Sequence, residues 1–210
     1  MYILWVRSRW VRMAAMRPLC TSSQSTTRTR KTLNITLPAK PTVTAAYIGT
    51  KVEDGKLPVL VKFIDAKKDL SVQVHPSDEY ARKHEGDNGK TEMWYVIDAE
   101  EGAHLIYGFQ HEVTEEILRK AVKTGTLDKH LQKVEVHKGD TYFVPAGTVH
   151  GIGKGILVAE IQESSNVTYR VYDYNRVDKN GKKRELHFDK AVQVMDMNVA
   201  PDVSQKPRMD

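Results

Sequence analysis

The chain has 210 residues with one cysteine, Cys20, and 28% charged residues, which excludes a disulfide framework and a cysteine-rich metal site. Its net charge of +5 comes from one end, because residues 1–42 hold eight basic and no acidic residues while the remainder has 24 basic against 27 acidic. We therefore predict no nucleic-acid partner. We also predict no membrane partner, since the sequence contains no run of eighteen apolar residues.

Residues 1–55 are interpreted as an atypical basic leader, rich in Arg, Ser and Thr. Early arginines interrupt its apolar start, so its composition is closer to a transit peptide than to a secretory signal. A start that is not native to the protein is the interpretation we prefer, and in either case poor packing is expected. Residues 56–198 are predicted to form the folded domain and residues 199–210 a loose tail. The single cysteine suits a reducing compartment, and we expect a cytoplasmic protein.

Seven or eight short strands separated by regular turns are predicted in the folded part, a pattern typical of an all-β sandwich or barrel. The apolar run Leu57–Ile64 predicts a strand buried on both faces. One helical insertion is predicted, with Thr114 as its N-cap and Gly125 just past its end. The strands are expected at 57–64, 70–75, 90–97, 104–109, 133–137, 141–144, 155–162 and 167–173.

The stretch Gly139–His150 carries the strongest local signal. Thr141–Val144 is β-branched and aromatic, which favours a half-buried strand. Pro145 ends the hydrogen-bonded ladder, and Gly147 permits backbone angles that other residues avoid. This segment therefore aims His150 at a defined point, although a hairpin with an incidental histidine remains the alternative from these residues alone.

Two earlier strands place polar side chains in pairs. Gln73 and His75 are two apart and face the same way, and Lys90 and Glu92 repeat this arrangement. If these faces line a barrel, two imidazoles and a carboxylate suit Zn²⁺ or another first-row divalent ion, and an amide oxygen adds a neutral ligand. Taken singly, each residue has a structural explanation of equal weight. Three neighbours are predicted to point oppositely, toward packing: Val72, Val74 and Met93.

Five motifs in order resemble the type I, zinc-dependent mannose-6-phosphate isomerases in their short bacterial form, within the cupin superfamily. The pattern G-x5-P-x-G-x2-H that ends at His150 is similar to the second cupin motif. The resemblance covers roughly residues 57–198 and implies an all-β fold, a cupin jelly-roll barrel with one short helical insertion. The five motifs are Phe63–Lys67, Leu70–Pro76, Gly89–Tyr95, Pro145–His150 and Ser165–Asp173.

The resemblance implies an enzyme that interconverts mannose 6-phosphate and fructose 6-phosphate through a cis-enediol. It implies that a sugar phosphate is the partner and that each chain holds one Zn²⁺, and it gives Arg170 as the active-site arginine and Lys90 as a residue of the substrate pocket. The oligomeric state is not implied. The implied zinc ligands are Gln73, His75, Glu92 and His150.

The proton-transfer residue is not given by the resemblance. Glu160, on a strand of the same barrel, is the first candidate and Asp173 the second, with a structural carboxylate as an equal alternative for each. The phosphate requires basic residues near the mouth of the pocket, for which the candidates are Lys90, Arg170 and Arg176.

Residues 1–55 contain no segment that we can align with the first strands of the family, and the C-terminal β half of its members is not recognised either. A catalytically impaired metal-binding cupin module is therefore the alternative function. A cupin oxygenase is a third hypothesis, which the Gln-x-His pattern argues against.

Overall fold

Antiparallel strands are the main regular structure in the described part of the chain, which comprises the backbone of residues 3–6 and all of residues 58–204 in a computed structural model. The strands are β1 (Ile3–Val6), β2 (Val59–Ala66), β3 (Val72–Val74), β4 (Glu92–Ala99), β5 (His104–Phe109), β6 (Leu131–Glu135), β7 (Thr141–Val144), β8 (His150–Ile152), β9 (Ile156–Glu163) and β10 (Tyr169–Tyr172). The helices are α1 (Asp78–His84), α2 (Glu115–Thr124) and α3 (Phe188–Ala191), with a 3₁₀ turn at Leu127–Lys129. The predicted all-β class is confirmed.

The strands form two five-stranded sheets. The first sheet has the order β1-β2-β9-β4-β7 and the second the order β10-β3-β8-β5-β6. From β7 onward, each strand lies in the opposite sheet to the strand before it, and β2, β3 and β4 alternate in the same way. This crossing of the chain between two facing sheets is the arrangement of a jelly roll.

Two apolar clusters hold the sheets and helices together. The first cluster fills the space between the sheets, with Trp94, Val96, Leu105, Tyr142 and Val158 among its members. The second lies on the outer side of the second sheet, where α2, α3 and the 3₁₀ turn pack over it. Its members include Val72, Val74, Phe109, Leu118, Leu127 and Val171. Burial of this apolar surface stabilises the fold and leaves one end of the barrel interior for polar groups.

The predicted helical insertion is confirmed as α2, between β5 and β6. The hydroxyl of Thr114 accepts a hydrogen bond from the N–H of Ile117 (3.3 Å), and Gly125 adopts φ +72° just past the last turn. Leu118 and Ala121 face the sheet and are buried. The capping pattern read from the sequence therefore fixed both ends of this helix.

The prediction that Leu57–Ile64 is buried on both faces is wrong. Val59 is 49% and Phe63 37% exposed, while Leu60 and Ile64 face the core. Met93, which we expected to point toward packing, is 36% exposed. Val59, Phe63 and Met93 lie on the outer side of the first sheet, whereas the helices pack on the outer side of the second. Strand alternation therefore predicts the direction of these side chains but not whether another element covers them.

Both predicted ends of the chain extend beyond the described residues. Of the leader, only the backbone of β1 is described; it pairs antiparallel with β2, with Ile3 opposite Ile64. Residues 199–203, which we assigned to a loose tail, are attached: the N–H of Ala200 donates to the carbonyl of Phe109 (2.9 Å) and Val203 packs on the core. Among the described residues, none of the helices is long and apolar enough to cross a membrane.

Candidate metal centre

Three adjacent strands of the second sheet bring three polar side chains side by side. Gln73 of β3 lies opposite His150 of β8 on one side and opposite Arg170 of β10 on the other. Directly opposed residues of neighbouring strands have Cβ atoms about 5 Å apart on one face. Gly147, at φ +89°, donates its N–H to the carbonyl of His75 (2.8 Å). The Pro-Gly turn therefore connects the strand of His150 to that of His75.

The first sheet supplies the facing carboxylates. Glu92 and Trp94 of β4 lie opposite Gln162 and Glu160 of β9. On the other side of β9, Lys62 of β2 lies opposite Glu160. Lys62 shares the inward face of β2 with Leu60 and Ile64, as the two-residue period of a strand requires. The polar end of the barrel is thus lined from both sheets.

The proposed ligand atoms lie at distances that suit one ion. His75 Nε2 is 3.2 Å from Glu92 Oε1, and His150 Nε2 is 3.6 Å from Glu92 Oε2. The side-chain amide of Gln73, whose oxygen is the proposed ligand, adjoins them, with its nitrogen 3.4 Å from His150 Nε2. Zinc–nitrogen bonds of about 2.0–2.1 Å place two tetrahedral ligands about 3.4 Å apart. The group formed by His75, Glu92 and His150 therefore has the size of a metal site, and all three residues are buried.

Hydrogen bonds to the backbone orient both imidazoles. His75 Nδ1 lies 2.9 Å from the carbonyl of Val167, and His150 Nδ1 lies 2.8 Å from the carbonyl of Thr148. Because a carbonyl only accepts, each Nδ1 carries the proton and each Nε2 presents a lone pair toward Glu92. A ligand histidine that donates its other N–H in this way is the usual arrangement at protein metal sites.

The protonation states also suit a cation. Burial lowers the pKa of His75 to about 3 and also lowers the pKa of His150. Burial opposes ionisation of Glu92, but His75, Lys90 and His150 outweigh it and hold the pKa of this carboxyl well below its usual range. Neutral imidazoles beside an ionised carboxylate are the state that binds a metal ion.

Lys90 enters this centre as a buried cation. Its Nζ lies 2.7 Å from Glu92 Oε1 and 3.1 Å from His75 Nε2. Apart from this ion pair, Glu92 Oε1 accepts no hydrogen bond from the described residues, so this buried oxygen has unused acceptor capacity. A buried acceptor without a hydrogen bond is unfavourable, and a divalent ion bound by these side chains would satisfy it. The residues present therefore fit a metal ion.

A cavity of about 870 Å³ opens from this centre and is strongly basic. Gln73, Lys90, Trp94, His150 and Glu160 line one part of it. Its other charged lining residues are Lys62, Lys67, Lys68, Asp69, Arg170, Arg176 and Arg184. With seven basic side chains against two acidic ones, the cavity attracts anions.

Comparison with known proteins identifies the family. Residues 15–106 match the model of the phosphomannose isomerase type I catalytic domain. Mannose-6-phosphate isomerase ManA of Bacillus subtilis is 49% identical over 153 residues, which are 72% of this chain and 48% of that protein. Mannose-6-phosphate isomerase of Streptococcus mutans is 51% identical over 138 residues, which are 66% of this chain and 43% of that protein. The chain belongs to the type I phosphomannose isomerase family.

Solved structures support the same fold. The crystal structure of the B. subtilis mannose 6-phosphate isomerase superposes with a TM-score of 0.62 at 43% identity, covering 76% of this chain and 49% of that one. That of an Archaeoglobus fulgidus protein described as a possible mannosephosphate isomerase gives 0.58 at 26% identity, covering 70% and 45%. The chain thus spans about half the length of the family members it matches. The family match begins at residue 15, within the range where we found no family motif.

The two predicted proton carriers of this type I phosphomannose isomerase chain are placed differently. Glu160 is buried and lines the cavity, where it accepts hydrogen bonds from Lys62 Nζ (2.9 Å) and Trp94 Nε1 (3.3 Å). Asp173 is not among the cavity-lining residues, and both of its oxygens are bound by arginines. The second candidate is therefore not placed for proton transfer in the cavity.

Arg170 lines the cavity, as the family resemblance implies. Its Nη1 donates to the carbonyl of Glu185 (2.9 Å) and its Nε to the hydroxyl of Ser71 (3.4 Å). Burial lowers its pKa, and the nearby charge of Arg184 lowers it further. These contacts hold the guanidinium in place within a field of like charge.

Sequence reasoning missed Lys62 and Arg184, which also line the cavity. A signal for Lys62 existed, because it is the one charged residue within the apolar run Leu57–Ile64 and has the parity of the inward residues. Arg184 lies in the polar run Lys182–Glu185, which is typical of a solvated loop. Nothing local distinguishes it from its neighbours.

Proposed function

We propose that this chain is a metal-dependent isomerase that interconverts mannose 6-phosphate and fructose 6-phosphate, with zinc held by Gln73, His75, Glu92 and His150. The observation that carries the proposal is a buried, charge-matched donor set that opens into a basic cavity. A donor set of nitrogen and oxygen atoms suits Zn²⁺ or another first-row divalent ion, and the family resemblance supports zinc. The names of the B. subtilis and S. mutans relatives support the choice of substrate.

The reaction moves a proton between C1 and C2 of the open-chain sugar, and negative charge develops on a sugar oxygen. A bound zinc ion supplies Lewis-acid stabilisation of that charge. The fixed cations Lys90 and Arg170 add stabilisation without reorganisation, because backbone and side-chain contacts already hold them. Their role is electrostatic.

Glu160 is the carboxylate that we propose for proton transfer. Trp94 Nε1 donates both to Glu92 (3.1 Å) and to Glu160 (3.3 Å), so one indole N–H lies between the proposed metal ligand and the proposed base. The other acidic residue of the cavity lining, Asp69, accepts the backbone N–H of Lys154. Glu160 is therefore the lining carboxylate that adjoins the metal centre.

The proposed function also specifies a catalytic domain, a partner and a cellular location. Residues 56–198 carry the catalytic domain, and the partner is a small sugar phosphate, with neither nucleic acid nor membrane involved. A cytoplasmic location suits a chain with one cysteine.

The deciding experiment is metal analysis of the purified chain together with a coupled mannose 6-phosphate isomerisation assay. We expect one zinc per chain, loss of turnover after chelation and recovery on adding zinc. Bound zinc without isomerisation would instead select the catalytically impaired cupin module. Failure to bind any divalent ion would refute the metal centre itself.

Replacing Arg170 with alanine is expected to lower kcat/KM by about 10²–10³-fold, the usual effect of losing one preorganised charge donor at a developing oxyanion. Zinc content should not change, because Arg170 is not in the donor set. Steady-state kinetics with metal analysis checks this, with Arg119→Ala on the exposed face of α2 as the control. Wild-type turnover in Arg170→Ala would show that its proposed role is wrong.

A further inference from the structure

The carboxylate of Asp173, directly after β10, is enclosed by two arginines. Arg184 donates to Oδ2 from Nε (2.7 Å) and to Oδ1 from Nη2, and Arg176 donates to Oδ1 from Nη2. The Asp173 side chain is only 7% exposed, whereas Asp189 in the surface pair with Arg119 is 81% exposed. Two-point Arg–carboxylate bonding fixes the orientation of a guanidinium as well as its position. We call this group the arginine clasp; its members are Asp173, Arg176 and Arg184.

A strained turn closes the clasp from one side. Tyr174 and Asn175 both adopt φ +55°, in the left-handed region that residues other than glycine, and to a lesser extent asparagine, seldom adopt. The turn brings Arg176 back over Asp173, so that the backbone N–H and Nε of Arg176 both donate to the Asp173 carbonyl (3.0 and 3.2 Å). Lys183 Nζ holds the Asn175 side chain (3.0 Å). Strain of this kind persists where surrounding contacts fix one geometry.

The other side of the clasp returns through a short hairpin. Val177 and Lys183 form an antiparallel bridge, which places Arg184 next to Asp173. Burial opposes ionisation of Asp173, but Arg184 and Arg176 outweigh it and lower the pKa of this carboxyl. The carboxylate is therefore charged and both guanidinium groups are anchored to it.

The two arginines face the cavity, and the aspartate does not line it. Arg170, Arg176 and Arg184 all belong to the cavity lining. One carboxylate in the clasp offsets only part of their charge, so the end of the cavity formed by these three residues keeps a positive excess. The contacts that Arg184 makes use its Nε and Nη2, and a guanidinium has five N–H donors. Donors at Arg184 Nη1 are thus available to a ligand. Arg176 is more fully engaged, because its Nη1 donates to the carbonyl of Asp69 and its Nη2 to Asp173, which leaves one N–H on each of these two nitrogens.

We propose that Asp173 is a positioning residue, which orients Arg176 and Arg184 so that their remaining donors bind the doubly charged phosphate of the substrate. This inference rests on the proposed function for the identity of the substrate. In it, Asp173 touches neither the sugar nor the metal ion and acts only through the two arginines. Its effect therefore belongs to substrate affinity rather than to the chemical step.

The test compares Asp173→Asn with Asp189→Asn, a matched variant that also removes an arginine partner but lies outside the cavity. Two measurements are made on the zinc-loaded chain: calorimetric binding of inorganic phosphate, and kinetics with mannose 6-phosphate. Asp173→Asn is expected to raise the Kd for phosphate and the KM for the sugar phosphate by about tenfold or more, because the charge-assisted hydrogen bonds to the phosphate lose their geometry when the arginines are no longer oriented. The kcat and the zinc content should stay within about twofold, and Asp173→Glu should recover part of the affinity.

A fall in kcat at unchanged KM would overturn the positioning role, as would unchanged phosphate affinity or a wild-type chain that binds no phosphate. Where Asp173→Asn fails to fold, Arg184→Gln takes its place, since Arg184 lies on a half-exposed loop, and the same rise in Kd is expected. The two proposals fail separately. Phosphate binding that depends on Asp173 in a chain without isomerase activity supports the clasp and refutes the activity, whereas turnover with a Kd insensitive to Asp173 does the reverse.

Discussion

Replacing Glu92 with glutamine is expected to remove bound zinc and to reduce isomerisation by about a thousandfold or more, since metal stabilisation of developing charge contributes several kcal/mol. Glu92 supplies the only negative charge among the four proposed ligands, and its two oxygens face His75 and His150 from the opposite sheet. Glutamine keeps the shape but supplies no charge to offset that of the ion. Metal analysis and the coupled assay, with the exposed Glu101→Gln as control, check this. A full complement of zinc in Glu92→Gln would refute the donor set.

The same substitution should destabilise the metal-free chain. Lys90 Nζ is buried 2.7 Å from Glu92, and removing one partner of a buried ion pair costs about 3–5 kcal/mol because the other charge remains buried. The double variant Lys90→Met with Glu92→Gln should regain much of that stability in denaturant unfolding, yet still bind no zinc. This separates loss of the metal site from loss of the fold.

The second large effect is acid destabilisation of the metal-free chain. His75 and His150 are neutral in the folded protein because burial lowers their pKa values, that of His75 to about 3. The unfolded chain binds protons at both residues below its ordinary histidine pKa of about 6.5. Stability from these groups is therefore complete above pH 6.5 and is lost as the pH falls below it. The loss is at most about 1.4 kcal/mol per pH unit for each histidine.

Denaturant unfolding of the chelator-treated chain at pH 7.5, 6.5, 5.5 and 5.0 measures this slope. Zinc at a fixed free concentration should oppose unfolding at pH 7.5 and also well below pH 6.5, because burial keeps the ligand imidazoles deprotonated in the folded chain. His137→Gln, at a partly exposed site, provides a control that should keep the slope. Constant stability between pH 7 and pH 5 would contradict the assignment of two buried neutral histidines.

The parts of the site that could be predicted from sequence are those set by the two-residue period of a strand. That period places Gln73 beside His75 on one face and Glu92 beside Trp94 on another, and the structure keeps both groupings. Pairing between distant strands is not local. β8 is only three residues long and begins at His150 itself, so no run of β-branched residues indicated that it would lie opposite Gln73.

The arginine clasp shows the opposite case. From the sequence, Asp173 is the second candidate for proton transfer. Its actual partners come from a turn at Tyr174 and Asn175, where no glycine marks the positive φ, and from Arg184, eleven residues later. Side-chain ion pairs across an irregular loop leave no periodic pattern, so the role of such a residue is visible only in three dimensions.

The proposed metal ligands come from both sheets of the barrel. They lie at the polar end of its interior, whereas apolar contacts hold the two sheets together at the other end. Glu92 comes from the first sheet, whereas His75 and His150 come from the second, and Gln73 and His150 are 77 positions apart in the chain. An ion bound here would act as a non-covalent staple in a protein with a single cysteine. By closing long loops it would restrict the unfolded ensemble, as a disulfide does. In this barrel the metal ion that takes part in the reaction would therefore also raise the thermal stability of the fold.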